Sequence, residues 1–276
     1  MQVIFKIFRQ QPGETAKIQD YVLDVEPSNT ILECLNRIKW EQDGTLAFRK
    51  NCRNTICGSC SMRINGRSAL ACKENVAGEM RRFEQAIPGN YSEQTNGDSS
   101  AGTPVMMIAP MGNMPVVKDL IVDMDSFWKN LKAVDPYVST ASRHVPEREF
   151  LQSPEERSRL NQVGNCILCG ACYSECNARE VNADFVGPHA LAKAYRMVTD
   201  SRDDTTSDRL EKYNEGTFGV WGCTRCYYCN SVCPMEVAPL EQISKIKSQI
   251  LEQKDAQASR SIRHRKVLIE LVRQGG

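Results

Sequence analysis

Cys52-Arg-Asn-Thr-Ile-Cys57-Gly-Ser-Cys60-Ser-Met-Arg-Ile-Asn65-Gly66-Arg-Ser-Ala-Leu-Ala-Cys72 places four thiols within 21 residues. Asn65-Gly66 lies between two short runs of mixed polarity and specifies a hairpin with a two-residue type I′ turn. Counting outward from that turn pairs Ile64 with Arg67 and sets Cys72 opposite Ser59. The hairpin therefore returns the fourth thiol to the loop that carries the other three. Gly58 and Ser59 keep this loop tight enough for backbone N–H groups to aim at sulfur. Working outward, residues 2 to 9 and 20 to 25 read as strands about the turn-prone Gln11-Pro12-Gly13. Thr30 with Glu33 forms a capping box, and Ile31, Leu35 and Ile38 share one helical face. Strand, strand, helix, thiol loop and hairpin make a small sheet crossed by a helix.

The spacing Cys52-x4-Cys57-x2-Cys60, with eleven residues before Cys72, is the plant-type ferredoxin arrangement for a 2Fe-2S cluster. By analogy with that motif, the sheet and helix take the β-grasp layout. Two further runs, Cys166-x2-Cys169-x2-Cys172-x3-Cys176 and Cys223-x2-Cys226-x2-Cys229-x3-Cys233, have the bacterial spacing, and Pro234 follows the second. In that pattern three cysteines of one run bind one cluster and the fourth reaches across to the other. This assigns Cys166, Cys169, Cys172 and Cys233 to one 4Fe-4S cluster, and Cys176, Cys223, Cys226 and Cys229 to a third cluster.

Structural zinc also takes four thiolates, but as two ligand pairs a dozen or more residues apart, not as three cysteines in seven. Thirteen cysteines in 276 residues fall well short of a disulfide scaffold, and the start, Met-Gln-Val-Ile-Phe-Lys-Ile-Phe, reads as a strand instead of an export signal. Cys34 sits in a helical stretch beside Leu35 and reads as a small buried residue, outside every site. Thirty-five basic against thirty-four acidic side chains leave no global field for nucleic acid. The longest apolar stretch, Val105 to Met111, contains Pro110 and is far shorter than the roughly 18 residues a bilayer span needs.

Beyond the first sheet, residues 89–103 are polar and turn-rich and read as a surface insertion, with a closing strand near Val105 to Ile108. The division expected is a 2Fe-2S domain over 1–115, a connector over 116–140 with a helix near Asp125 to Ala133, and a helical domain over 141–276. In the last of these, Ser153, Pro154 and Glu156 start a helix that Gly164 ends. Pro188 starts another, with Leu191, Ala194, Tyr195 and Val198 inward. Pro239 opens a third, carrying Ile243, Ile246 and Ile250. Between Arg260 and Arg273 five basic residues face one acidic residue, the pattern of a solvated helix face, with a partner or an anionic membrane as the other reading.

With these motifs in place, the chain resembles the iron–sulfur subunit of succinate dehydrogenase and fumarate reductase over nearly its whole length. The resemblance also rests on Pro115-Val-Val-Lys-Asp-Leu-Ile-Val-Asp-Met, Asp135-Pro-Tyr, Cys166-Ile-Leu-Cys-Gly-Ala-Cys, Gly187-Pro, and Ala194-Tyr-Arg followed by Asp200-Ser-Arg-Asp. It implies an α+β chain: an N-terminal β-grasp 2Fe-2S ferredoxin domain, then an all-helical bacterial-ferredoxin-like domain holding two cubane-type clusters. It implies an FAD-containing flavoprotein partner that oxidises succinate to fumarate, a membrane-anchor subunit, and a quinone reached indirectly. This chain would relay electrons from a peripheral position on the cytoplasmic side of the membrane, with no dicarboxylate chemistry of its own.

Departures from the family pattern matter as much as the match. Most relatives lack the cysteine corresponding to Cys226 and hold a 3Fe-4S cluster; with a fourth thiolate here, a second 4Fe-4S cluster of lower potential is expected. Asn177 replaces a proline, the tryptophans just beyond it are missing, and Thr224 stands where some relatives have a quinone-proximal histidine. Similar departures mark a branch whose membrane-side subunit resembles heterodisulfide reductase, here expected to be a separate polypeptide. Glycolate oxidase and heterodisulfide reductase-like enzymes share the paired runs but generally lack the group Cys52 to Cys72. A free-standing ferredoxin or a zinc-bound interaction module would be separated by iron and sulfide content.

Overall fold

The computed structural model describes residues 1–86, 103–253 and 260–275. They form two compact units, Met1–Met124 with Ile167–Glu175, and Asp125–Cys166 with Cys176–Gly276. The polar stretch 89–103 lies, apart from Thr103, outside the described residues.

The first unit is built on a mixed sheet of β1 (Gln2–Arg9), β2 (Lys17–Asp24), β3 (Ser61–Ile64), β4 (Arg67–Leu70) and β5 (Val105–Ala109), in the order β2-β1-β5-β3-β4. Strict alternation along β1 buries Val3, Phe5 and Ile7 completely, as period-2 side-chain geometry requires. β2 begins at Lys17, three residues before the expected start, because the antiparallel ladder pairs Phe8 with Ile18 and Arg9 with Lys17. Backbone pairing extends past the buried alternation, and exposed side chains give no sign of it. β5 is parallel to β1 and antiparallel to β3, so it closes the sheet between them.

Across this sheet lies α1 (Ile31–Arg37), continued by a π-helical turn Ile38–Gln42. Its capping box is formed as read, with the Glu33 amide donating to Thr30 and the Thr30 amide donating to Glu33. Ile31, Leu35, Ile38 and Cys34 all enter the core, so Cys34 is a packing residue. After α2 (Val76–Ala86) and β5, a short hairpin of β6 (Val116–Lys118) and β7 (Ile121–Val122) is pinned to the unit by one carboxylate. Asp119, fully buried, accepts from Arg9 Nε at 3.0 Å, the Gln10 amide at 3.0 Å and the Ala47 amide at 2.9 Å. The chain as far as Met124 consequently packs with the sheet.

The second unit is helical: α3 (Asp125–Lys132), α4 (Pro188–Thr199), α5 (Thr206–Tyr213), α6 (Pro239–Gln253) and α7 (Arg260–Gly275), with shorter turns between them. α4 packs on α3, α5 and α6, burying Leu191, Ala194, Tyr195 and Val198, and α6 contributes Ile243, Ile246 and Ile250. The stretch read as one helix from Pro154 to Gly164 is two short turns, Pro154–Ser158 and Asn161–Gly164. The Ser153–Glu156 capping box forms, but the first turn buries nothing, and the chain bends at Arg159 and Leu160 so that Leu160 and Val163 reach the core. Among the described residues no helix is long and apolar enough to cross a membrane.

A buried ion pair ties this unit together. Arg209 on α5 donates to Asp203 from Nη2 at 2.9 Å and from Nε at 3.2 Å, and to the carbonyls of Asp135 and Tyr137 at 2.7 and 2.6 Å. Burial opposes ionisation of Asp203, but the Arg209 guanidinium and the Ser139 and Thr205 amides outweigh it and hold the carboxyl below its usual range. Its contribution to stability is complete above the ordinary carboxylate pKa and is lost as pH falls through the depressed folded value, below about pH 4. Arg209→Ala strands a buried charge and should cost about 3–5 kcal/mol. A urea midpoint unchanged by this substitution would contradict the assignment.

Candidate metal centres

The first group of thiols is assembled as the hairpin arithmetic requires. Asn65 and Gly66 have φ of +49° and +80°, the two left-handed residues of a type I′ turn, and Ile64 pairs with Arg67. Below the ladder the Ala71 amide donates to the Cys60 carbonyl at 3.1 Å, which brings Cys72 beside the loop. Backbone amides then converge on sulfur. Asn54 and Cys57 donate to Cys52 Sγ at 3.3 and 3.4 Å, Cys52 to Cys57 Sγ at 3.5 Å, and Thr55 to Cys72 Sγ at 3.4 Å. Ser59, through side chain and amide together, is the main reason the Cys57 thiol is lowered to about 6. Cys60 is pushed up to about 12, chiefly by burial, with Cys72 and Cys57 adding their charge. Ionised together, these four groups would repel one another, so holding them as thiolates takes a cationic core.

Gly58 has a role the sequence reading did not specify. Its φ is +70°, and a Cβ placed there would lie 2.8 Å from both Cα and Cβ of Cys169. The position requires glycine because the loop of the first cysteine group lies against the backbone of the second run within the same unit. A brace fixes that stretch. The Glu175 carboxylate accepts from Arg63 Nε at 2.8 Å and from Ser68 Oγ at 2.7 Å, and Ser68 Oγ in turn accepts from Ser174 Oγ, 2.7 Å away. Partners more than 100 residues apart leave no periodic or local signal.

The two later runs follow one backbone path despite different side chains. Leu168 and Gly170 take φ of +55° and +84°, and Arg225 and Tyr227, at matching positions, +60° and +71°. In each run a one-turn helix follows, Ala171–Ser174 and Tyr228–Ser231, carrying the third cysteine. Cys169 and Cys172 belong to the first unit and Cys166 and Cys233 to the second. Within the second unit the Val237 amide donates to Cys233 Sγ at 3.3 Å, and Lys193 Nζ donates to the Cys166 carbonyl at 3.3 Å.

The second unit brings Cys176 to Cys223, Cys226 and Cys229. All four line one pocket with about 300 Å³ of space not filled by protein, part of it open to solvent. Phe185, Pro188, Leu240 and Ile243 form its apolar wall. Burial first, and the charges of neighbouring cysteines next, push Cys229 up to about 12. Burial also lifts Cys176 to about 11, with Cys223 and Cys226 among the contributors. Cys229 and Cys176 are buried, whereas Cys226 is exposed, as are Thr224 and Tyr227, which line the same pocket. A single zinc would need its sulfurs about 2.3 Å from one point. The four sulfurs here line a pocket of this size, with an apolar wall behind them.

Comparison with known proteins finds a family model over each cysteine-bearing half of the chain. Residues 4–129 match the family model of a 2Fe-2S iron-sulfur cluster binding domain, and residues 162–237 that of a 4Fe-4S dicluster domain. The chain is 36% identical over 250 residues to the mitochondrial succinate dehydrogenase [ubiquinone] iron-sulfur subunit 2 of Oryza sativa subsp. japonica, covering 88% of this chain and 73% of that protein. Among solved structures it is similar to a chain of the Mycobacterium smegmatis Sdh1 complex in the apo form, with a TM-score of 0.74, 21% identity, and 92% and 98% of the two chains covered. A hypothetical protein from Helicobacter pylori matches with a TM-score of 0.56 and 12% identity, over 92% of this chain but 41% of that one. These two structural likenesses bear on the fold alone.

Proposed function

The chain belongs to the family of succinate dehydrogenase iron–sulfur subunits, and from that premise we propose how its residues carry electrons. It is an electron-transfer subunit of the oxidoreductase, with 2Fe-2S and 4Fe-4S binding domains. Cys52, Cys57, Cys60 and Cys72 hold the 2Fe-2S cluster. Cys166, Cys169, Cys172 and Cys233 hold a 4Fe-4S cluster, and Cys176, Cys223, Cys226 and Cys229 hold the third, as a second 4Fe-4S cluster in place of 3Fe-4S.

Bound clusters supply one-electron carriers whose reduction needs no bond to break, and the protein sets their potentials. The amides of Asn54, Thr55 and Cys57, donating to cysteine sulfurs, stabilise the more negative reduced state and raise the potential of the first site. The apolar wall of Phe185, Leu240 and Ile243 limits water at the third site and so disfavours added negative charge there. The observation that carries the reading is the gathering of Cys176 with all three leading cysteines of the last run around one pocket.

The flavoprotein that would load the first cluster carries FAD and oxidises succinate, and a membrane-side subunit receives electrons from the third. Thr224, where some relatives have a quinone-proximal histidine, and the lack of the quinone-side tryptophans that relatives place just beyond the position of Asn177 favour a heterodisulfide-reductase-like acceptor over direct transfer to quinone, with the chain peripheral on the cytoplasmic side. Whether the complex runs as succinate oxidase or fumarate reductase follows from the relative potentials of cluster, flavin and quinone. The purified complex should contain about ten irons per copy of this chain, with matching acid-labile sulfide, from one 2Fe-2S and two 4Fe-4S clusters. Zinc without sulfide would overturn the assignment.

A further inference from the structure

The last helix of the second unit, α7, is anchored at one end only. Ile262 in its first turn is fully buried in the unit's core, whereas Val267, Leu268, Leu271 and Val272 are 57%, 43%, 60% and 63% exposed. At about 100° per residue these four side chains fall in one arc of roughly 140°, on the side of the helix opposite Ile262 and the half-buried Ile269. Arg263, exposed, and Arg265, half-buried, stand just beyond the two edges of that arc, while the exposed His264 continues the same arc in the first two turns of the helix as its polar end. Five basic residues and one acidic residue occupy Arg260 to Arg273. An apolar stripe bordered by arginines, on a helix of modest overall hydrophobicity, is the pattern that lies in the headgroup region of a bilayer.

We propose that α7 rests in the interfacial plane of an anionic lipid bilayer, with Val267, Leu268, Leu271 and Val272 immersed and Arg263 and Arg265 among the lipid headgroups. Charge selects this occupant. A second copy of the chain would set the same positive helix against itself, whereas an anionic leaflet attracts each basic residue near its surface.

The test uses the full chain with its clusters loaded and phosphatidylcholine vesicles with or without phosphatidylglycerol, separated by flotation. Binding to the anionic vesicles should exceed binding to the neutral ones by about tenfold or more and fall as salt is raised. Leu268→Gln with Leu271→Gln should reduce it by about tenfold or more, with the visible absorption of the clusters unchanged. If that pair does not fold, Arg263→Gln with Arg265→Gln keeps the apolar face and should reduce the preference for anionic lipid by about tenfold or more. Equal binding to both vesicle types, or binding unaffected by either pair, would overturn the proposal. So would a dimer in solution that the leucine substitutions dissolve, since the face would then belong to a second copy. Vesicle binding is read without turnover, so its failure leaves the cluster assignment standing.

Discussion

Cys226→Ala is expected to cost the third centre one iron and leave the rest of the chain in place. The residue is exposed, while Cys176 and Cys229 are buried and Cys223 is half-buried, so its removal opens no core cavity. Three thiolates then remain for a cubane that needs four, and the iron without a protein ligand is the one released. Iron should fall from about ten to about nine per chain, and air-oxidised protein should develop a stoichiometric 3Fe-4S EPR signal that the unaltered chain lacks. The potential of the centre should rise, because cluster type and net charge set it within a range of roughly −700 to +450 mV. A full 3Fe-4S signal already present in the unaltered chain would show that Cys226 is not a ligand.

Gly58→Ala should damage two cysteine groups at once. Left-handed backbone costs a residue with a Cβ about 1–2 kcal/mol. The added methyl would also press within 2.8 Å of the Cys169 Cα, a backbone atom that cannot swing aside as a side-chain tip can. Overpacking of that kind adds about 1–3 kcal/mol, for a total of roughly 2–5 kcal/mol. Gly66→Ala is the control: its φ is +80°, but nothing lies within 4 Å of the new methyl, so only the conformational cost of about 1–2 kcal/mol applies. Chemical unfolding should rank Gly58→Ala well below Gly66→Ala, and iron content should fall in the first variant only. Equal midpoints and equal iron would remove the close approach from the account.

How much of this was legible in advance depended on the range of each interaction. The capping box at Thr30, the type I′ turn at Asn65-Gly66 and the alternation along β1 are local, spanning two to eight residues, and each formed as read. The inward faces of α4 and α6 followed from helical periodicity for the same reason. The helix expected over Pro154 to Gly164 broke because its first turn has nothing apolar to bury, so a good cap could not carry it further. The packing of residues 116–124 with the first sheet was invisible beforehand, since it depends on Asp119 meeting Arg9 across more than a hundred residues.

The linear order of the cysteines was sufficient to decide the chemistry, because x2, x3 and x4 spacings limit how a short loop can wrap a cluster, and those spacings are carried by the chain itself. Which side chains support those loops was decided only by folding. Gly58 against Cys169, Glu175 between Arg63 and Ser68, and the exposed apolar face of α7 all arise where distant segments meet or fail to meet. Contacts of that kind exist only once conformational entropy has been spent on closing long loops, and no short-range pattern along the chain encodes them.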